Sequence, residues 1–98
     1  MAKKEIDRSK LRITISRLRA LAHPVSLEIV SLLESESKLN VGAIQKRIKL
    51  EQAATSYHLT RLKRKGILIS KRVGKETFYS VKQDSLKTMI EAINNCGE

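Results

Sequence analysis

The 98-residue chain has little of several features that would place it in other protein classes. Its single cysteine, Cys96, excludes a disulfide within the chain and any Cys-rich zinc site, and we interpret it as a free thiol. No apolar run approaches the roughly 20 residues that a membrane-spanning helix needs. Because the charged N-terminal segment also lacks the apolar stretch of a secretory signal, we expect a cytoplasmic protein without a membrane partner.

Aromatic residues are limited to Tyr57, Phe78 and Tyr79. Leucine, isoleucine and valine must therefore supply the core, which favours a small single domain of helices with a short sheet. Proteins that bind single-stranded nucleic acid usually stack bases on several aromatic side chains. The scarcity of aromatic side chains argues against that class.

Acidic residues are absent between Gln52 and Lys75, where seven basic residues account for most of the formal net charge of +10. These are Arg61, Lys63, Arg64, Lys65, Lys71, Arg72 and Lys75. Gathering so much positive charge on one surface is favourable when a polyanion lies against it, since phosphate contacts release condensed counterions. We therefore expect double-stranded DNA as the partner; the alternative is a basic face that contacts only solvent.

Motifs of catalytic and cofactor sites are also missing. The chain has no HExxH, Walker loop, GxGxxG or Ser/His/Asp set. Of its two histidines, His23 is expected to cap or pack at a helix start, and His58 to make a buried hydrogen bond. The sequence predicts neither an enzyme nor a cofactor, and no metal site.

The spacing of apolar residues predicts four helices, a hairpin and a last helix. We place the helices at residues 4–22, 24–33, 41–48, 52–65 and about 83–94, with a loop at 34–38. In the second helix, Leu27, Val30 and Leu33 are expected to face inward. Asn40 is suited to begin the third helix, and Gly66 to end the fourth in a left-handed conformation.

Two β-rich runs, 67–69 and 77–81, flank a tip at 71–76 that contains Gly74. Leu39 could add a very short strand. The order of elements predicts a mainly α fold with a small β-hairpin wing, a winged helix-turn-helix in one domain over residues 1–98. The helix-turn-helix would span 41–65 and the wing 67–81.

The fourth helix has two distinct faces at 100° per residue. Thr55, His58, Leu59 and Leu62 form the predicted core face. The opposite side, which we call the recognition face, is suited to a DNA major groove. It comprises Ala53, Ser56, Tyr57, Thr60 and Arg64.

We assign Gln52, Ser56 and Tyr57 to base edges or nearby phosphates. Arg61, Lys63 and Arg64 are assigned to the sugar–phosphate backbone. Gln52 could instead simply fill the first helical turn, and Tyr57 could pack on the wing. At the hairpin, we expect Lys71, Arg72 and Lys75 to contact phosphates or a minor groove, although exposed hairpin tips are often charged without a partner.

Three segments together resemble the ArsR-type winged-helix transcriptional regulators. The first segment is Leu18–Pro24, followed by Leu27–Val30. The second is Leu50–Leu59, which contains a Ser–x–His–Leu core. The third is Leu62–Leu68, in which a basic stretch precedes a glycine. The resemblance extends from about Leu18 to Val81. It implies a sequence-specific DNA-binding regulator, most plausibly a repressor on a pseudo-palindromic operator.

The resemblance also implies a homodimer joined by the first and last helices, residues 1–22 and 83–95. Apolar stripes on these helices agree with such an interface, although the two ends could instead pack on each other within one chain. The stripe residues are Ile6, Leu11, Ile15, Leu18, Leu86, Met89, Ile90 and Ile93.

The chain departs from the family at several positions. Many members sense metals through cysteines in the third helix, and residues 40–44 contain none. Asp84 is not followed by a histidine, Ser26 replaces a basic residue, and Glu51 replaces the usual Ser or Thr cap. Metal sensing is therefore not expected and the effector stays unidentified. The alternatives are a winged-helix module that binds proteins, or a metal or redox sensor of the same fold.

Overall fold

The computed structural model describes residues 8–87. Within this range the elements follow the order expected for a winged helix-turn-helix, with a third, very short strand in the sheet. They are α1 (Arg8–Leu21), α2 (Pro24–Glu36), β1 (Leu39–Asn40), α3 (Val41–Ile48), α4 (Gln52–Arg64), β2 (Leu68–Val73) and β3 (Glu76–Val81). Residues 83–87 are also helical. The predicted fold class is confirmed.

The core is aliphatic, as the shortage of aromatic residues requires. Its largest fully buried side chains include Ile29 and Leu33 of α2, Ile44 of α3, and Leu59 and Leu62 of α4. Burying each such side chain stabilises the fold by about 1.5–3 kcal/mol. This core contacts α4 through its buried face, and the opposite face of the helix is exposed.

In helix α2, Val30 and Leu33 are buried as predicted, but Leu27 and the length of the helix differ from the prediction. Leu27, expected to face inward, is 54% exposed, whereas Ser26 and Ile29 are fully buried. The inward stripe thus includes Ser26, whose small side chain lets a neighbour approach closely. The predicted loop at 34–38 is also wrong in its first half, because α2 continues to Glu36 and ends where Ser37 adopts a positive φ of 71°.

The turn between α3 and α4 is three residues long, as predicted. Lys49 ends α3 in the left-handed conformation, and its backbone N–H donates to the carbonyl of Gln45. Glu51 precedes α4 without a side-chain cap, which agrees with the weak cap expected there. In addition, the Thr55 hydroxyl donates to the Glu51 carbonyl at 2.9 Å, which ties the buried face of α4 to its first turn.

Helix α4 ends as predicted at a left-handed glycine. Gly66 has a φ of 74°, and its N–H donates to the carbonyl of Lys63 at 2.9 Å, while the N–H of Ile67 donates to that of Leu62 at 3.0 Å. This pair of bonds is a Schellman motif, which satisfies the last carbonyls of the helix. It turns the chain directly from α4 into β2.

The sheet has the strand order β1-β3-β2, and both pairings are antiparallel. Its strands are longer than the apolar runs predicted, since β2 reaches Val73 and β3 begins at Glu76. The connection therefore shrinks to Gly74 and Lys75. Gly74 has a φ of 63°, which is the conformation that a two-residue hairpin turn with glycine first requires.

The predicted terminal interface is only partly within the described residues. Ile15 and Leu18 are 46% and 37% exposed on α1, and Leu86 packs in part against the core. Ile6, Met89, Ile90, Ile93 and Cys96 lie outside residues 8–87, as does most of the predicted last helix. Among the described helices, none is long and apolar enough to cross a membrane.

Candidate nucleic-acid interface

The two faces of α4 are divided as its periodicity predicts. Thr55, His58, Leu59 and Leu62 are buried. All five side chains of the recognition face are exposed, and the exposed fraction of Tyr57 is 62%. Its ring contacts that of His58 edge-on, with 5.2 Å between ring centroids. Most of the Tyr57 side chain is thus free to meet a ligand, so the alternative that it packs on the wing is not supported.

An open depression runs along this side of α4, which we call the recognition cleft. Its volume is about 610 Å³. The recognition face lines it together with two further cations, and no acidic side chain of the described part of the chain contributes. The lining residues are Ala53, Ser56, Tyr57, Thr60, Arg61, Arg64 and Lys65. Lys65 was not among the predicted site residues; its position directly after Arg64 in the basic run is the signal that could have found it.

A second depression, the wing groove, joins the start of α4 to the hairpin tip. Its volume is about 330 Å³. Gln52 and Ser56 of α4 line it with Lys75 of the tip, so three predicted site residues from two elements share one groove. The remaining lining residues are Asn40, Val41, Gly42, Glu76 and Thr77.

Asn40 connects the two sides of the wing groove. Its side-chain oxygen accepts a hydrogen bond from the N–H of Ala43 at 2.8 Å, as the predicted cap of α3. Its amide nitrogen also donates to the Glu76 carboxylate at 3.1 Å. The second bond joins the start of α3 to the hairpin and occupies an oxygen of Glu76, the carboxylate that lines the wing groove beside Lys75. Sequence reasoning missed it because the two residues lie 36 positions apart.

The other predicted site residues lie around these two depressions. Lys63 is exposed outside both. Lys71 and Arg72 are consecutive residues of β2 and point to opposite faces of the sheet. Arg72 is oriented toward the tip, because its Nε donates to the carbonyl of Gly74 at 3.2 Å. Thr77, the cross-strand partner of Arg72, lines the wing groove together with Lys75, so Arg72 lies on the groove side of the sheet and Lys71 on the other side.

The buried hydrogen bond expected of His58 is not made at its Nδ1. Its Nδ1 is buried and has no hydrogen-bond partner among the described residues. The ring lies instead against that of His23, with 4.6 Å between centroids, and against Tyr57. Burial lowers the pKa of His58 below its ordinary 6.5, and the charges of His23 and Arg61 lower it further. A neutral His58 on the buried face of α4 thus contacts Tyr57 of the recognition face.

His23 performs the expected capping role. Its Nδ1 accepts a hydrogen bond from the N–H of Val25 at 3.2 Å, at the start of α2. Pro24 stands at the beginning of that helix, where its missing N–H has no consequence. In the part of the chain that the structure describes, no three His, Cys, Asp or Glu side chains are grouped so that they could hold a metal ion.

Comparison with known proteins identifies the family. Residues 21–70 match the model of a helix-turn-helix domain. The transcriptional repressor PagR of Bacillus anthracis is 32% identical over 90 residues, which cover 92% of this chain and 90% of that protein. The transcriptional activator HlyU of Vibrio cholerae is 32% identical over 77 residues, covering 79% of this chain and 70% of HlyU.

Solved structures agree with this match. The crystal structure of PagR has a TM-score of 0.73 at 30% identity, over 87% of this chain and 99% of PagR. An ArsR-like regulator from Rhodococcus has the same fold, with a TM-score of 0.82 at 21% identity over 91% of this chain and 83% of that one. The family consists of transcriptional regulators and not of enzymes. The chain belongs to the ArsR-type winged helix-turn-helix family and is a DNA-binding transcriptional regulator.

Proposed function

We propose that the chain reads a specific double-stranded operator through the recognition face of α4 and contacts the flanking backbone through the hairpin tip. The observation that carries this proposal is the wing groove, where Gln52 and Ser56 share one surface with Lys75. Side chains near the start of a recognition helix contact base edges in known helix-turn-helix complexes. A cation at the tip then contacts a phosphate of the adjacent groove.

The base-reading and backbone-binding roles are divided by chemistry. Gln52, Ser56 and Tyr57 have hydrogen-bonding groups without charge, which suits discrimination between bases. Arg61, Lys63 and Arg64 have charge near the end of the helix, which suits phosphates. Ala53 and Thr60 lie on the same face as smaller residues that allow close approach. The polar first half of α4 would therefore enter the major groove, with the cations toward the end of the helix.

The active species would be a homodimer. Ile15 and Leu18 expose apolar surface on α1, and Leu11 beside them is half-buried. Together with Leu86, and with Met89, Ile90 and Ile93 outside the described residues, they would form the interface. Two recognition helices would then meet half-sites roughly 34–36 Å apart, which is one turn of DNA. Sedimentation equilibrium tests this part: Leu18→Glu should shift the mass from dimer toward monomer.

Repression is the simplest outcome of such binding, because a dimer bound across a promoter excludes polymerase by occupancy alone. PagR is named a repressor, but HlyU is named an activator. In vitro transcription from a template with the selected operator distinguishes the two. We place the protein in the cytoplasm, the compartment expected to hold the DNA it binds.

Selection of operators from random duplexes, at two salt concentrations, tests the proposed function. The expected product is a pseudo-palindromic sequence that the chain binds more tightly than random DNA, with affinity that falls steeply as salt rises. Enrichment of no sequence, or weak binding without salt dependence, would contradict the proposal. The second of these results is the behaviour expected of a protein-binding module.

A further inference from the structure

A second basic surface lies on α1, beside the recognition cleft. Arg12 and Arg19 are exposed on this helix and line an open cleft of about 440 Å³ with Arg61 of α4 and Lys65, which follows α4. The remaining lining residues among those described are Ile15 and Ser16, so none of the described lining residues is acidic. Two segments that are distant in sequence thus bring four cations together in this depression, which we call the α1 cleft.

The α1 cleft is continuous with the recognition cleft. Arg61 and Lys65 line both of them. A third depression, of about 320 Å³, adjoins the same region and is lined by Arg17, Arg64 and Lys65 among others. The positive surface therefore does not stop at the end of α4. It extends onto α1, and among residues 8–87 no carboxylate lines any of the three depressions.

The position of α1 against α4 is fixed by hydrogen bonds. The Nζ of Lys65 donates to the Ser16 hydroxyl at 2.7 Å, and the Nε of Arg17 donates to the Lys65 carbonyl at 2.9 Å. Arg12 and Arg19 take no part in these bonds, and neither has an ion-pair partner among residues 8–87. Their charge is available to an external anion.

The geometry of the cleft indicates which anion this is. Arg12 and Arg19 are seven residues apart, so they share a face of α1 with about 10 Å between their backbones. Sites for small ligands are concave and bury most of the ligand surface, whereas this cleft is open along one side. A continuous phosphate chain that already contacts Arg61 can reach both arginines.

We propose that the α1 cleft binds the sugar–phosphate backbone of the operator, so that Arg12 and Arg19 extend the DNA footprint beyond the helix-turn-helix and the wing. This inference rests on the proposed function, because it concerns the same duplex. It adds charged contacts to phosphates, and these contacts do not distinguish one base sequence from another. Two copies of the cleft would lie next to the dimer interface, since Ile15 lines the cleft and belongs to that interface.

The test compares the variant Arg12→Gln/Arg19→Gln with a matched control, Lys82→Gln/Lys87→Gln. Lys82 and Lys87 are exposed and line none of the three basic depressions. The slope of log Kobs against log salt is measured on the selected operator and on random duplex. Removing two phosphate contacts per chain should lower the magnitude of the slope by about two for each chain bound. The ratio of operator to random affinity should stay the same.

A control and a second measurement keep the test decisive if the variant folds or dimerises poorly. Arg12→Lys/Arg19→Lys keeps both charges and should retain most of the slope. Phosphate ethylation interference on the operator should identify positions where ethylation weakens the wild-type chain but not the glutamine variant. The absence of any such position would overturn the inference.

Other outcomes separate this inference from the proposed function. If the wild-type chain selects an operator but the glutamine variant keeps the full slope, the α1 cleft is not a DNA contact and the proposed function stands. If the wild-type chain selects no operator, the proposed function itself fails. Titration with pyrophosphate provides a third outcome: binding that the variant loses, without a change in slope, would make the cleft a small-anion site and overturn the inference.

Discussion

Arg17 on α1 donates a hydrogen bond from its Nε to the backbone carbonyl of Lys65, the residue that caps the end of α4, at 2.9 Å. The two residues are 48 positions apart. The last carbonyls of a helix lack partners within it and carry partial negative charge, so a cation at this position is stabilising. The recognition helix is thus fixed at its end by the helix expected to form the dimer.

Replacing Arg17 with Met should weaken this attachment. The bond involves a charged donor but is only partly buried, so we expect unfolding free energy to fall by about 1 kcal/mol. Urea denaturation measures the change. Arg12→Met on the exposed side of α1 serves as the control and should change stability by less than about 0.5 kcal/mol. Equal effects of the two substitutions would show that the Arg17 bond does not stabilise the fold.

Gly66 and Gly42 should respond to alanine in opposite directions. A Cβ on Gly66, where φ is +74°, would be strained and would lie 3.2 Å from the Nη2 of Arg17. A Cβ on Gly42, in the first turn of α3, meets only the Asn40 side chain at an ordinary 3.7 Å. We expect Gly66→Ala to destabilise by about 1–2 kcal/mol and Gly42→Ala to stabilise by about 0.5 kcal/mol. Thermal denaturation of both variants checks the signs, and a neutral Gly66→Ala would refute the role assigned to that glycine.

The salt dependence of DNA binding tests each basic residue of the wing separately. Arg72→Gln and Lys75→Gln should each weaken binding to all duplexes similarly and flatten the salt slope by about one ion. Lys71→Gln should have a smaller effect, because Lys71 points to the opposite face of the sheet from Arg72. Fluorescence anisotropy over a range of salt concentrations gives the slopes. A slope unchanged in all three variants would place the wing away from the duplex.

Stability should depend on pH through His58. Its pKa is lowered in the folded state by burial and by the charges of His23 and Arg61. The unfolded chain therefore binds a proton at a higher pH than the folded chain does, and protonation favours unfolding. The contribution is fully present above the ordinary pKa of 6.5 and is lost as pH falls through the lower folded value.

The variant His58→Gln isolates this effect, because it leaves His23 and every other titrating group in place. The difference in unfolding free energy between wild type and variant, measured by urea denaturation from pH 5 to pH 8, should shift against the wild type below about pH 6.5. A difference that is constant over this range would contradict the assignment to His58.

The features predictable from the sequence are those that depend on local periodicity. The buried face of α4 followed from the spacing of Thr55, Leu59 and Leu62, and the end of that helix followed from Gly66. In α2 the structure buries Val30 and Leu33 as predicted, but between Ser26 and Leu27 it buries Ser26 and leaves Leu27 exposed. Periodicity alone could not choose between them.

Contacts between distant segments could not be predicted in this way. The bond from Arg17 to Lys65 and the cleft of Arg12, Arg19 and Arg61 depend on the angle at which α1 crosses α4. His58 was expected to hydrogen-bond, but its Nδ1 has no partner among the described residues, and its ring lies against those of His23 and Tyr57. Packing in three dimensions decided each of these outcomes.

The most direct test of the account compares Ser56→Ala and Tyr57→Ala on the selected operator and on random duplex, with Lys63→Ala as the control. Each of the first two should cost about 1–3 kcal/mol of binding free energy on the operator and much less on random DNA, because they remove base contacts. Lys63→Ala should weaken both duplexes alike, because it removes a phosphate contact. Equal losses on operator and random DNA for Ser56→Ala and Tyr57→Ala would contradict the claim that the exposed face of α4 reads sequence.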